Sequence, residues 1–360
     1  MSRTSGNVSH KTWTERVSSE GGATIRVRRR NILGAGAAVA AASLGAPALH
    51  AQPAVRLDLS TVPPDGNFHT KNCRAFAEEV ARVTDGAVRI TVHAGGALGY
   101  SAAEHLAAVR DGLVQMAGFR DVQQASEAPL FGIEAVPFLI GSIEELAVLH
   151  RIARPAFDAV AATFNQTILY MVPSPAQCLY AKTRIDALDG FRGARIRVLD
   201  RLAGETVTAL GMVAVQLPWV DTRPALASGA AAGAVTSSVS AVNGRFWEVL
   251  ACLYRTNHAW DSQVVTINND AWGKIAPAHR KAIVDLAARL QPQFWRVSVE
   301  ADAAAAGRLA ENGMDVVAVA PAMLAQMRGR TSHLEAAFVG RAGPVAADII
   351  ARYRKAVGRT

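Results

Sequence analysis

The chain has 360 residues, half of them hydrophobic, with 38 Lys and Arg against 30 Asp and Glu. The formal charge of +8 is misleading: residues 1–51 hold seven bases (Arg3, Lys11, Arg16, Arg26, Arg28, Arg29, Arg30) and two acids (Glu15, Glu20), which leaves 31 bases and 28 acids, a net +3. That balance, with no basic stripe interleaved with aromatics, excludes a nucleic-acid footprint, and the scattered Cys73, Cys178 and Cys252 offer no metal-ligand spacing.

Residues 28–51 read as an export signal. Arg29-Arg30-Asn31-Ile32-Leu33 opens it, and Ile32 to Leu49 is an apolar run rich in Ala and Gly. The run is at the lower limit of the roughly 20 residues of a spanning helix, and its Ala and Gly give weak transfer into lipid. A cleaved signal, with Leu49-His50-Ala51 before Gln52 as its exit, is therefore expected rather than a permanent anchor. Paired arginines with Ile32-Leu33 two positions on resemble the twin-arginine signature, although Arg28-Arg29-Arg30 also serves as an ordinary basic n-region. Gly34-Ala35-Gly36 lacks the preceding strand and third glycine of a dinucleotide fingerprint. The remaining ~310 residues suffice for two lobes with real cores. They are placed outside the cytoplasmic membrane, where the three cysteines read as small buried core residues rather than a bridge plus an odd thiol.

Val55 to Leu59 alternates as a strand, and Cys73, Phe76, Ala77, Val80 and Val83 recur at helical spacing up to Asp85-Gly86. Val88, Ile90 and Val92 make a second strand, Gly95 to Gly99 a loop, Leu106 to Val109 a short helix and Val114 to Phe119 a third strand. This β-α-β-α-β order predicts an α/β lobe with a largely parallel sheet. After a helix near 142–163, strands are expected at 167–172, 177–182 and 195–199, a helix at 202–210, and a short extended piece at 214–217. Pro224 to Ser228 reads as a brief helix with proline in its first turn, followed by an extended 235–237. Ser262 to Ile267 reads as a strand. Ile283, Leu286, Ala287, Leu290, Phe294 and Val297 then share one helical face, with Pro292 expected to kink or split the helix. A strand returns at 315–318. The predicted architecture is α/β and two-lobed, like the periplasmic binding proteins, with a cleft between lobes and a long interlobe helix. Residues 54–174 plus about 262–300 form lobe 1, and 175–261 plus about 301–350 form lobe 2. A cleft of this kind takes a small ligand and closes by hinge motion.

No HExxH, GxSxG, P-loop or CxxC occurs, and Glu104-His105 are adjacent, so they project differently from a helix and do not pair. The reading is a binder, not an enzyme, with no cofactor or metal. In Gly193-Ala194-Arg195-Ile196-Arg197-Val198 a strand puts Arg195 and Arg197 on one face. Taken alone, both read as solvated.

The chain resembles the substrate-binding proteins of tripartite ATP-independent periplasmic (TRAP) transporters, DctP type (periplasmic solute-binding protein family 7), from about residue 55 to 320. The landmarks run in order: Phe76-Ala77-Glu78-Glu79-Val80, Thr84-Asp85-Gly86, Gly96-Ala97-Leu98-Gly99, Val109-Arg110-Asp111-Gly112 and Val136-Pro137-Phe138-Leu139. Leu188 to Gly193 then leads into Arg195-Ile196-Arg197-Val198, followed by Ala209-Leu210-Gly211, Ala225-Leu226, Trp247-Glu248-Val249 and Trp272. The resemblance implies a periplasmic receptor for a small organic acid that hands it to membrane permease subunits. It implies Arg197 as the residue that pairs with the ligand carboxylate, a role suited to a planar fork that takes both oxygens. Trp219 falls where members place an aromatic wall, and a core aromatic is the alternative. Thr236 falls where some members use a hydrogen-bonding Asn. Arg120, ending the third strand, reaches for the cleft as a candidate second cation. Gln177 stands where sialic-acid binders carry a second arginine, and Ala232-Gly233 replaces the common Asp-Gly. Both departures put a C4-dicarboxylate in doubt and leave a monocarboxylate with a neutral polar end equally open. The rival readings are a ligand-presenting subunit of a periplasmic sensor and an exported hydrolase or lyase.

Overall fold

The computed structural model describes residues 54–359. The export segment at 28–51 lies outside them. In chain order the elements are β1 (Val55–Thr61), α1 (Phe68–Val83), β2 (Val88–His93), α2 (His105–Arg110), β3 (Met116–Arg120), α3 (Ile143–Thr163), β4 (Gln166–Pro173) and β5 (Gln177–Ala181). There follow β6 (Arg195–Val198), α4 (Arg201–Ala209), β7 (Val213–Gln216), α5 (Trp219–Ser228), β8 (Gly233–Thr236), α6 (Ser238–Asn243) and β9 (Cys252–Ala259). The chain ends with β10 (Ser262–Asn268), α7 (Asn269–Gly273), α8 (Pro277–Glu311), β11 (Asp315–Val317), α9 (Pro321–Thr331), α10 (His333–Ala342) and α11 (Pro344–Ala356).

Two sheets define two lobes: a five-stranded β2-β1-β3-β10-β4 and a six-stranded β11-β9-β5-β8-β6-β7. Each is mixed rather than largely parallel. In the first, β1 runs parallel to β2 and β3, but β10 is antiparallel to both β3 and β4. In the second, β6 runs parallel to β7 and β8, while β5 is antiparallel to β8 and β9. β5 and β10 are the first strands the chain makes after crossing from one lobe to the other, so the crossovers rather than any local pattern set their direction. The sequence reading missed β9. Its second half, Arg255-Thr256-Asn257-His258, is a run of polar residues, half-buried at Arg255 and Asn257 and buried between them, so polar-apolar alternation is absent and the strand signal is lost.

Local chemistry fixes the element ends. Asn67 caps α1 by accepting the His69 N–H at 2.9 Å, and Cys73, Phe76, Ala77 and Val80 bury one stripe. Helix α5 starts at Trp219, five residues before Pro224, which sits inside it. Val220 is exposed there, so the first turn carries no apolar period to read. Pro292 neither ends nor divides α8, which runs for 35 residues. Proline removes one ladder hydrogen bond, but side chains around it tie the helix to the edge strand β4. Gln291 Oε1 accepts the Met171 N–H at 2.9 Å, Trp295 Nε1 donates to Met171 O at 2.8 Å, and Ser298 Oγ donates to Pro173 O at 2.7 Å. These contacts also satisfy a sheet edge that would otherwise be open.

Helix α8 packs on α1 and β4 in the first lobe and on α6 and β11 in the second, so it spans both. The three C-terminal helices lie beyond the elements read from sequence. Met323 and Met327 of α9 join the second-lobe core. The expectation that residues up to about 350 belong to the second lobe is corrected for α10 and α11. Phe338, Ala346, Ile349, Ile350 and Tyr353 enter the first-lobe core with Phe131 and Phe157, and Tyr353 Oη donates to Leu139 O at 3.1 Å. Their apolar stripes match the groove between α3 and the 3-10 turn Pro129–Ala135. All three cysteines are buried and unbridged.

Candidate functional site

Both lobes turn the C-terminal ends of their parallel strands toward one cavity of about 1110 Å³. From the first lobe come Val62 and Asn67 after β1, Gly95 and Gly96 after β2, and Arg120 and Val122 at the end of β3. From the second come Leu199 and Asp200 after β6, Leu217 and Trp219 after β7, and Thr236 closing β8. Open α/β sheets place ligands at this edge because the connecting loops diverge there. Gly95 and Gly96 hold φ of +68° and +72°, a turn that glycine adopts without strain and that folds back on β1 through hydrogen bonds to Pro63 O and Thr61 O.

The five residues singled out from sequence, Arg120, Gln177, Arg197, Trp219 and Thr236, all line this cavity. Arg197 is 1% exposed. Its Nη2 donates to Leu217 O at 2.9 Å, and its Nε–H has no partner among the described residues. Among the described residues no carboxylate lies within 4.0 Å of its guanidinium. Burial pulls its pKa down to about 10, against the opposing pull of Asp200, so it remains charged at neutral pH. Arg195, on the same strand face, is exposed and donates to Ala230 O. The difference is position along the strand: only Arg197 reaches the cavity end.

Trp219 is half-buried at the first turn of α5, stacked on Phe246 at 6.1 Å, with the Arg197 guanidinium 5.8 Å from its ring centre. The arrangement gives the cation an aromatic neighbour and the cavity a flat wall. Thr236 is 6% exposed. Asp200, which caps α4 by accepting the Ala203 N–H at 2.9 Å, has its carboxyl pushed up to about 6 by loss of water around it.

Arg120 is not a free cation. Its Nη1 donates to Asp261 Oδ1, the Gln177 amide nitrogen donates to Asp261 Oδ2 at 2.6 Å, and Ser174 Oγ donates to Oδ1 at 2.8 Å. The expectation that Arg120 supplies a second positive charge is corrected accordingly. Sequence reading missed Asp261 and Asp200. The usable signal was the strand-end rule: residues just after parallel strands, and the crossing between β9 and β10, were the places to look.

Residues 59–339 match the family model described as bacterial extracellular solute-binding protein, family 7, DctP. The chain belongs to this family. A solute-binding protein of Chromohalobacter salexigens is 23% identical to this family 7 chain over 246 residues, 67% of this chain and 73% of the relative. Among solved structures, the Bordetella pertussis extracytoplasmic solute receptor DctP7, which binds pyroglutamic acid, is 25% identical with a TM-score of 0.81. The alignment covers 84% of this chain and 100% of that one. A TRAP solute-binding protein from a marine metagenome, in complex with co-purified pyroglutamate, is 27% identical with a TM-score of 0.79, over 84% of this chain and 100% of that one. Family 7 proteins are periplasmic. This member is a solute-binding protein of that family, similar in fold to TRAP solute receptors.

Proposed function

We propose that this receptor holds its organic acid by a carboxylate paired with Arg197 and releases it chemically unchanged. The observation that carries the reading is a fully buried guanidinium with no protein carboxylate beside it, opening on an interlobe cavity. A charge kept out of water in this way is costly unless a partner arrives, and a bidentate carboxylate is the partner its fork fits best. Trp219 forms one wall, Thr236 supplies a hydroxyl, and the Gln177 carbonyl oxygen accepts a donor from the ligand. Arg120 contributes through Asp261 rather than by direct ion pairing. Pyroglutamate, bound by both of the similar receptors described above, is the first candidate. The first lobe, residues 54–174 with 262–300, and the second, which includes 175–261, close on the ligand about the strands that cross between them. The chain reaches the periplasm by the twin-arginine route, directed by Arg29-Arg30.

A thermal-shift screen of the mature protein against mono- and dicarboxylates tests the reading. A ligand at 100 times its Kd should stabilise the native state by about 2.7 kcal/mol and raise the melting midpoint. Failure of every acid to move the midpoint counts against it, and so does conversion of a bound acid on long incubation. Replacing Arg29-Arg30 by Lys-Lys should retain the precursor in the cytoplasm; unaltered export would exclude that route.

A further inference from the structure

Asp261 lies where two strand crossings between the lobes meet. It sits between β9 and β10, and Ser174 sits on the crossing from β4 to β5. The two are joined twice: the Ser174 N–H donates to Asp261 O at 2.8 Å, and its hydroxyl donates to Oδ1 at 2.8 Å. The Asp261 side chain is 3% exposed and that of its partner Arg120 18%. Asp261, Arg120 and Gln177 all face the ligand cavity.

Without that carboxylate, Arg120 and Arg197 would give the cavity two cations in a medium of low dielectric. With it, Arg197 is the buried cation left to a ligand. Two more arginines, Arg201 and Arg341, line the rim and share Glu205. Asp200 adds negative charge to the wall. A second ligand carboxylate reaching Arg120 would have to displace a buried acid already held by three donors, or lie against it as a like charge.

We infer that Asp261 is the residue that sets the charge class of the ligand, standing in for a second ligand carboxylate so that the cleft admits monoanions and rejects dianions. This rests on the reading that Arg197 takes the ligand carboxylate. The inference goes further in assigning selectivity to a residue that need not touch the ligand.

The test measures affinities of L-pyroglutamate, orotate and glucuronate as monoanions, and of succinate, L-malate and glutarate as dianions. It uses the mature wild-type protein and the variants Asp261→Asn, Arg120→Gln/Asp261→Asn and Arg197→Ala, with the melting of each ligand-free protein followed by circular dichroism. Wild type should bind its best monoanion at least about tenfold more tightly than its best dianion. Asp261→Asn, which keeps the side-chain shape and frees the Arg120 charge, should shift that ratio toward dianions by about tenfold or more. The double variant, which removes both charges, should return the ratio to the wild-type value. If Asp261→Asn does not melt cooperatively, the double variant alone decides, since an altered ratio there overturns the inference. A wild type that prefers a dianion, or a folded Asp261→Asn with the wild-type ratio, also overturns it. Retained affinity in Arg197→Ala would instead strike the underlying reading of the site.

Discussion

Burying an arginine without a carboxylate costs free energy that the folded protein must offset elsewhere. Arg197 is held by one carbonyl and an indole face. Truncating it therefore removes an unpaired charge from the empty protein and the proposed anchor from the loaded one. Arg197→Ala should lower organic-acid affinity by roughly 150-fold to several thousandfold, the equivalent of roughly 3–5 kcal/mol, while the ligand-free melting midpoint stays level or rises. Calorimetric titration and melting of the same preparation check both halves. A second residue-scale effect concerns His258. Burial alone holds its imidazole at about 4, below its ordinary 6.5. Between those values the unfolded chain takes up a proton that the folded chain refuses. Its contribution to stability is thus complete above 6.5 and is lost as pH falls toward 4, at up to about 1.4 kcal/mol per pH unit. His258→Asn should melt with a shallower loss of midpoint between pH 6.5 and 4 than wild type; parallel curves would refute the assignment.

At the scale of elements, strands and helices hold each other in register by contacts that local sequence does not announce. Strand β8 is wedged between β5 and β6, and a Cβ at Gly233 would lie 2.2 Å from Tyr180 O and 2.9 Å from Ile196 Cδ1. A backbone oxygen in a ladder has nowhere to retreat. Gly233→Ala should therefore destabilise by about 1–3 kcal/mol or more through overpacking, seen as a lower denaturant midpoint. An unchanged midpoint would mean that the two strands part more easily than their pairing indicates. Helix α8 illustrates the reverse case, where tertiary contacts override a local signal. Pro292 was read as a break, yet hydrogen bonds from Gln291, Trp295 and Ser298 to β4 carry the helix through it.

For the molecule as a whole, the proposed anchor and the proposed hinge lie in different places. Arg197 belongs to the second sheet, and the strands that cross between sheets pass Ser174 and Asp261. On the proposed reading, ligand drawn onto Arg197 brings the lobes together by bending at those crossings, along α8 and at the junction of α9 and α10. Small-angle scattering should show the radius of gyration falling when saturating ligand is added to wild type. It should stay constant in Arg197→Ala under the same conditions. An equal contraction in both would place the trigger for closure away from this arginine.

Local pattern sufficed for the elements whose apolar residues fall on one face, such as α1, β2 and α3, because period alone reports a one-sided burial. It also reached Arg197 and the other four cavity residues, through ordered landmarks that resemble a family rather than through their own chemistry. It failed at β9, where the polar run Arg255 to His258 hides the alternation, and at α10 and α11, whose apolar stripes do not say which lobe they cover. It misjudged Arg120, since the partner that neutralises it lies 141 positions along the chain. Charge at a site is a sum over neighbours in space, so the chain could name the cations of this cleft, but only folding determined which of them is left for a ligand.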